Sequence, residues 1–263
     1  MMKKIAFVIR KDDHSLSIKN QLEISLVKNG MIVDEENPDL VICVGGDGTI
    51  LYAVHKYLNK LDTAKFIGVH TGTLGFFTEY TDQEVETCIH DILSGPCDDF
   101  PASLLEVNLI GDVPQHSETI YALNEMRIEN IIRTQVIDVY IDGEHFEKCR
   151  GTGVCLSTQV GSTAYNRSLG GAVIDSGLSV MQLSEITSIQ HSKHHSLGVP
   201  YIMMRNRSVT FMSDTFNHAL LCYDHLYIDL ENIQKVVCTI SDRCVHFARY
   251  RPYSYLKRLK NLY

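Results

Sequence analysis

The chain has 263 residues, 44% of them hydrophobic, enough to close one large domain or two modest ones around apolar cores without metal staples. Its 24 basic residues stand against 32 acidic ones, a net charge of -8, and no basic stretch stands out before Lys257-Arg258-Leu259-Lys260. That balance argues against a nucleic-acid partner, whose phosphates need a positive surface.

The start, Met1-Met2-Lys3-Lys4, is charged like a signal peptide, but the apolar run over residues 5–9 stops at Arg10. It is too short for a signal core or a membrane span, so no membrane association and a cytoplasmic location are expected. Cys43, Cys88, Cys97, Cys149, Cys155, Cys222, Cys238 and Cys244 are scattered with no C-x-x-C pair, which reads as free thiols in a reducing compartment.

The first hundred residues alternate strand and helix signals, the pattern of a parallel sheet with helices on its faces. A buried strand is expected over residues 4–9. Leu16, Leu22, Leu26 and Val27 then recur at helical spacing, and Asn29-Gly30 closes that helix with a glycine suited to the left-handed cap. A second strand follows over 39–44, a helix over 49–58 and a third strand over 66–69, which runs into His70-Thr71-Gly72-Thr73-Leu74-Gly75. A helix over 82–93 ends near Ser94-Gly95-Pro96.

From Pro96 to Pro101 the texture changes, and short alternating strands dominate to about residue 245. Residues 135–141 are one such strand, and Asp142-Gly143 after it is a hairpin signal, because a type I′ turn needs positive φ at both central residues. One helix is expected to interrupt this β-rich region, since Val180, Leu183, Ile186 and Ile189 recur every third residue. The expected division is an α/β domain over 1–98, an all-β sandwich over 99–247 and a terminal segment over 248–263.

Three segments carry chemistry. Gly45-Gly46-Asp47-Gly48-Thr49 follows a buried strand and precedes a helix, the place where open α/β sheets bind ligands. Its glycines let backbone N–H groups approach a polyphosphate, and the helix N-terminus favours negative charge. Asp47 is then a general base for a sugar hydroxyl or an anchor for Mg²⁺; the plainer reading is a turn whose Asp caps the helix. Asn124-Glu125 can read a nucleoside through an amide and a carboxylate, although the dipeptide by itself is equally a solvated loop. Residues 151–171 are rich in glycine and hydroxyl groups with an aromatic face at Tyr165, which suits nucleotide recognition or simply two loops. His191, His194 and His195 lack acidic or cysteine companions at metal-ligand spacing and read as a polar loop, so no protein metal site is expected. Neither a G-x-S-x-G elbow nor a G-x-x-x-x-G-K-[ST] loop occurs.

Taken in order, GGDGT, HTGTLGFF, NE, RGTG, STQVGSTAYN, SLGGA, Asp224-His225 and His246-Phe247-Ala248-Arg249-Tyr250-Arg251-Pro252 resemble the NAD kinase family, in its compact Gram-positive bacterial form. GGDGT alone is shared with diacylglycerol and sphingosine kinases; the later motifs narrow the match. The resemblance implies an N-terminal α/β domain, a C-terminal β-sandwich, and a homotetramer in which a neighbouring subunit completes the NAD site. It also implies ATP-dependent phosphorylation of the adenosine-ribose 2′-hydroxyl of NAD, with Mg²⁺ or another divalent cation. By the same resemblance Asp47 is the proton acceptor with Gly48 beside it, and Asn124 and Glu125 contact the nucleoside. Arg150, Thr152, Thr163, Ala164, Tyr165, Ser168 and Thr187 match positions lining the dinucleotide site, and Phe76 and His225 match positions near the nucleotides.

The chain departs from the family pattern at Thr152, where Asp is usual, at Thr73 for His, at Gln159-Val160 for proline-serine or proline-threonine, at Thr187 for Ala, and over residues 190–195. These departures gather on the dinucleotide side. They leave open a diverged nucleotide-binding or regulatory paralogue beside the leading kinase reading. A lipid kinase, the third alternative, finds no basic membrane helix here.

Overall fold

The computed structural model describes residues 3–72, 75–190 and 194–262. The chain divides into two units, Met1–Ala102 with Arg243–Tyr263, and Ser103–Asp242. The positions Thr73 and His191 singled out above lie outside the described residues.

The first unit alternates β1 (Lys4–Ile9), α1 (Asp13–Lys28), β2 (Ile32–Val33), β3 (Leu40–Val44), α2 (Asp47–Lys56), β4 (Lys65–His70), β5 (Tyr80–Thr81) and α3 (Val85–Ser94). Its sheet runs β2-β1-β3-β4, every pair parallel, with β5 beside Val69 and His70 and residues 246–247 beside Lys65 and Phe66. A parallel sheet is covered on both faces, and β3 is accordingly buried at every position. Ile5, Phe7, Leu22, Leu26, Ile42, Ile67, Val85 and Ile89 form much of the core.

The inner stripe of α1 is Ser15, Ile18, Leu22 and Leu26, while Leu16 and Val27 of the expected set face outward. A period of 3.6 aligns 15, 18, 22 and 26 and turns their neighbours about 100° away. Gly30 takes φ +91°, as its place after the helix requires. The second helix begins at Asp47, two residues before the expected start, with Gly46 as its cap.

The second unit is built from β6 (Asp98–Gly111), β7 (Glu118–Ala122), β8 (Glu125–Glu129), β9 (Gln135–Ile141), β10 (Glu144–Gly151), β11 (Gly153–Thr158), the short α4 (Tyr165–Ser168), β12 (Val180–Ile186), β13 (Tyr201–Met204), β14 (Val209–Met212), β15 (Leu220–Tyr223), β16 (Leu226–Asp229) and β17 (Ile233–Arg249). One sheet runs β10-β9-β14-β17-β6-β7 and the other β13-β12-β11-β8-β15-β16. Leu105, Val107, Val139 and Phe211 of the first meet Met126, Ile128, Leu156 and Leu183 of the second in a single core, a β-sandwich. β6 and β17 carry the chain between the units, β17 entering the first again at Arg243, and α5 (Tyr255–Leu259) follows within it.

The helix expected around Val180 to Ile189 is instead strand β12, paired antiparallel with β11 and β13. Its apolar period of three arises because the strand is buried on both faces. Met181 and Leu183 enter the sandwich core, while Gln182 and Ser184 are covered on the other side and satisfied by the Ala172 backbone and the Asn166 side chain. Ile189 lies beyond the strand. Asp142 (φ 53°) and Gly143 (φ 84°) form the expected hairpin between β9 and β10. All eight cysteines are free thiols, five of them buried. No helix among the described residues is long and apolar enough to cross a membrane.

Candidate functional site

In the first unit the site begins where β3 ends. Gly46 and Gly48 have nothing within 4 Å of the place a Cβ would occupy, so no internal packing demands glycine there and the helix N-terminus is open to a ligand. Asp47 is the first residue of α2, and its half-buried carboxylate is held from the neighbouring loop: Phe76 N–H donates to Oδ2 at 2.8 Å and Phe77 N–H to Oδ1 at 3.1 Å. The approach of this loop depends on Gly75, where a Cβ would stand 2.2 Å from Asp47 Oδ1. The Phe76 ring packs at 5.8 Å against Tyr255.

In the second unit Asn124 and Glu125 sit at the corner between β7 and β8, both buried. Asp224, in the β15–β16 turn with φ 48°, fixes that corner by accepting Leu123 N–H at 2.8 Å and Asn124 N–H at 2.7 Å, and its own N–H donates to Glu125 O at 3.1 Å. Thr158 adds hydrogen bonds to the Leu123 and Asn124 carbonyls, and a Cβ on Gly161 would lie 2.0 Å from Asn124 O. The side-chain oxygens Asn124 Oδ1, Glu125 Oε2 and Ser157 Oγ are buried without a hydrogen-bond partner among the described residues. Buried polar atoms are rarely left so, which marks this corner as a candidate for ligand contact. Burial, followed by the negative charge of Asp224, pushes the Glu125 carboxyl up to about 7.

Tyr165 opens α4 with its amide toward Glu125, and the Arg127 guanidinium lies 3.9 Å from its ring centroid. Arg127 also pairs with Glu129 at 2.8 Å and keeps a buried Nε–H unpartnered. Thr163 and Ala164 lead into α4, and Ser168 and His225 are exposed.

The remaining expected residues gather elsewhere in the same unit. Arg150 is the penultimate residue of β10, Thr152 N–H donates to Ile186 O, and Thr187 takes φ 50° where Gly151 leaves room for its carbonyl. In the antiparallel register Gly153 faces Glu129 while Ser157 faces Glu125. The Arg150–Thr152–Thr187 group therefore lies at the far end of β8 from Glu125, roughly 14 Å along the strand. Among the described residues the one group placed to share a metal ion is Glu147, Cys149 and Glu185, with no histidine; its carboxylates hold the Leu197 and Gly198 amides.

Sequence reasoning gave no role to Arg127, Asp224 or Gly75. Asp224 and Gly75 stood inside quoted motifs, but their partners are distant in sequence. Arg127 had no local signal.

A parallel α/β sheet that delivers a glycine-flanked aspartate to a helix N-terminus, joined to a β-sandwich with unpartnered buried polar groups, marks the class of kinases carrying GGDGT. Residues 7–96 match the ATP-NAD kinase N-terminal domain and residues 123–250 the ATP-NAD kinase C-terminal domain, so the chain belongs to the NAD kinase family. It is 38% identical over 264 residues to an NAD kinase of Leuconostoc mesenteroides, covering 99% of this chain and 98% of that protein. An NAD kinase of Geobacillus stearothermophilus is 38% identical over 259 residues, covering 97% and 94%. Among solved structures, yeast NADH kinase complexed with NADH shares the fold with a TM-score of 0.84 at 18% identity, covering 98% of this chain and 86% of that one. An Archaeoglobus fulgidus NAD kinase in complex with ATP gives 0.74 at 23%, covering 98% and 96%.

Proposed function

We propose that the protein is an NAD kinase, transferring the terminal phosphoryl group of ATP to the 2′-hydroxyl of the adenosine ribose of NAD to give NADP. The observation that carries this reading is the presentation of Asp47 at an open helix N-terminus by two loop amides. Phosphoryl transfer depends on positioning and charge stabilisation more than on covalent chemistry, so one oriented carboxylate in a glycine-lined cradle suffices. Asp47 takes the proton of the attacking hydroxyl. Asn124 and Glu125 offer their unpartnered oxygens to the nucleoside, and Tyr165 offers the ring face opposite the one stacked on Arg127.

Mg²⁺ or another divalent cation fits the donor set: each Asp47 oxygen keeps a lone pair beyond its amide hydrogen bond, and such cations take one or two carboxylates plus substrate phosphates. When bound it neutralises charge on the phosphates. A homotetramer in which a neighbouring subunit completes the dinucleotide site belongs to the same reading, and the family resemblance is what supports it.

The test is a coupled assay of NADP formation by the purified protein, with NAD and NADH against ATP and polyphosphate. ATP-dependent NADP formation is expected. Calorimetric binding of NAD with no product from any donor would replace this reading with a non-catalytic dinucleotide binder.

A further inference from the structure

Four successive carbonyls of the Gly75–Thr78 loop receive donors from residues 249–258. Arg258 donates to Gly75 O at 2.6 Å and also to Thr78 O, Tyr253 Oη donates to Phe76 O at 3.1 Å, and Arg249 donates to Phe77 O at 3.4 Å. Below them Glu79 accepts the Tyr250 and Arg251 N–H groups at 3.1 Å each, and Arg251 pairs with Glu84 at 2.7 Å. Arg258 is buried to 6% exposure, at the cost of desolvating a charge, so its partners in this loop matter.

A peptide group is planar, and in its trans form the C=O and N–H point to opposite sides. Gly75 C=O and Phe76 N–H belong to one such group, and Phe76 C=O and Phe77 N–H to the next. Arg258 therefore grips one face of the peptide whose other face donates to Asp47 Oδ2, and Tyr253 grips the peptide that donates to Oδ1. Hydrogen bonds in series polarise one another, and a donor at the carbonyl strengthens the N–H across the same peptide.

We propose that Arg258 and Tyr253 are positioning residues for phosphoryl transfer, orienting Asp47 through these two peptides; this rests on Asp47 acting as the base. The terminal segment is then part of the catalytic apparatus although neither residue touches substrate.

The experiment compares Arg258→Lys, Tyr253→Phe and Asp47→Asn in the full-length protein, with turnover and KM for NAD and ATP from the coupled assay, melting temperature, and amide spectra of ¹⁵N-phenylalanine-labelled protein. Lysine cannot hold two carbonyls as the guanidinium fork does, and Tyr253→Phe deletes a single hydroxyl without burying a new charge. Arg258→Lys is expected to lower kcat at least tenfold and Tyr253→Phe about threefold, with both KM values within twofold of the parent. The Phe76 and Phe77 amide signals should move in both variants, and these are the signals that Asp47→Asn moves. Unchanged turnover in both variants, or lost turnover with those two signals in place, overturns the proposal. Asp47→Asn separates the two levels: if it is inactive while Arg258→Lys works normally, Asp47 stands as the base and the positioning role falls, whereas near-normal Asp47→Asn turnover removes both.

Discussion

Asp224 and Asn124, 100 residues apart in sequence, are joined by an N–H to Oδ1 hydrogen bond of 2.7 Å, and the other oxygen of Asp224 takes Leu123 N–H at 2.8 Å. This one carboxylate sets the corner on which the amide and carboxyl of Asn124-Glu125 are displayed. Asn tolerates the left-handed φ of 48° at position 224. Asp224→Asn should thus keep the turn but lose one charge-assisted acceptor, worth about 2 kcal/mol. The expected result is a KM for NAD raised roughly tenfold with turnover within threefold, read by steady-state kinetics.

Glu125 gives a pH dependence. Its carboxyl moves from an ordinary 4.5 up to about 7 in the folded protein. The folded state therefore binds this proton more tightly than the unfolded state, so the stability it contributes is fully present below about 4.5 and is lost as pH rises through about 7. The full effect is about 3 kcal/mol. Urea unfolding between pH 5 and 8 should show a falling contribution in the parent that Glu125→Gln flattens.

Gly75 and Gly161 separate chemistry from stability. The nearest atoms to a Cβ at Gly75 are those of the Asp47 carboxylate, a side chain able to swing away, so Gly75→Ala should cut kcat tenfold or more for less than about 1 kcal/mol of stability. A Cβ at Gly161 meets the Asn124 backbone, which cannot yield cheaply, and Gly161→Ala should cost about 2 kcal/mol or more. Melting curves beside kinetics distinguish the two outcomes.

On the proposed reading, in which a divalent cation enters with the nucleotide phosphates, chelation by EDTA should abolish NADP formation and excess Mg²⁺ should restore it without refolding. Circular dichroism should stay unchanged throughout.

The sequence was most legible where local rules act alone. Buried parallel strands appear as apolar runs, as over residues 40–44, and Asp142-Gly143 announces its turn because few residues accept two positive φ values in succession. It was least legible where a residue's surroundings come from far along the chain. β12 imitated a helix because Gln182 and Ser184 are buried by partners at Ala172 and Asn166 that spacing cannot disclose. Asp47 could be placed at a strand end from its motif, but the arginine that grips its loop lies 183 residues beyond Gly75. Family resemblance supplied the match at Asn124, Glu125 and Tyr165; the pairing of Glu125 with Asp224 and of Tyr165 with Arg127 came only with the fold.

The central claim, that Asp47 carries the proton transfer, is tested most directly by Asp47→Asn. Removing the carboxylate charge while keeping the side chain's shape should lower NADP formation from ATP and NAD by at least a thousandfold, with an unchanged circular dichroism spectrum and NAD still bound by calorimetry. Turnover within tenfold of the parent in that folded, NAD-binding variant would contradict the account.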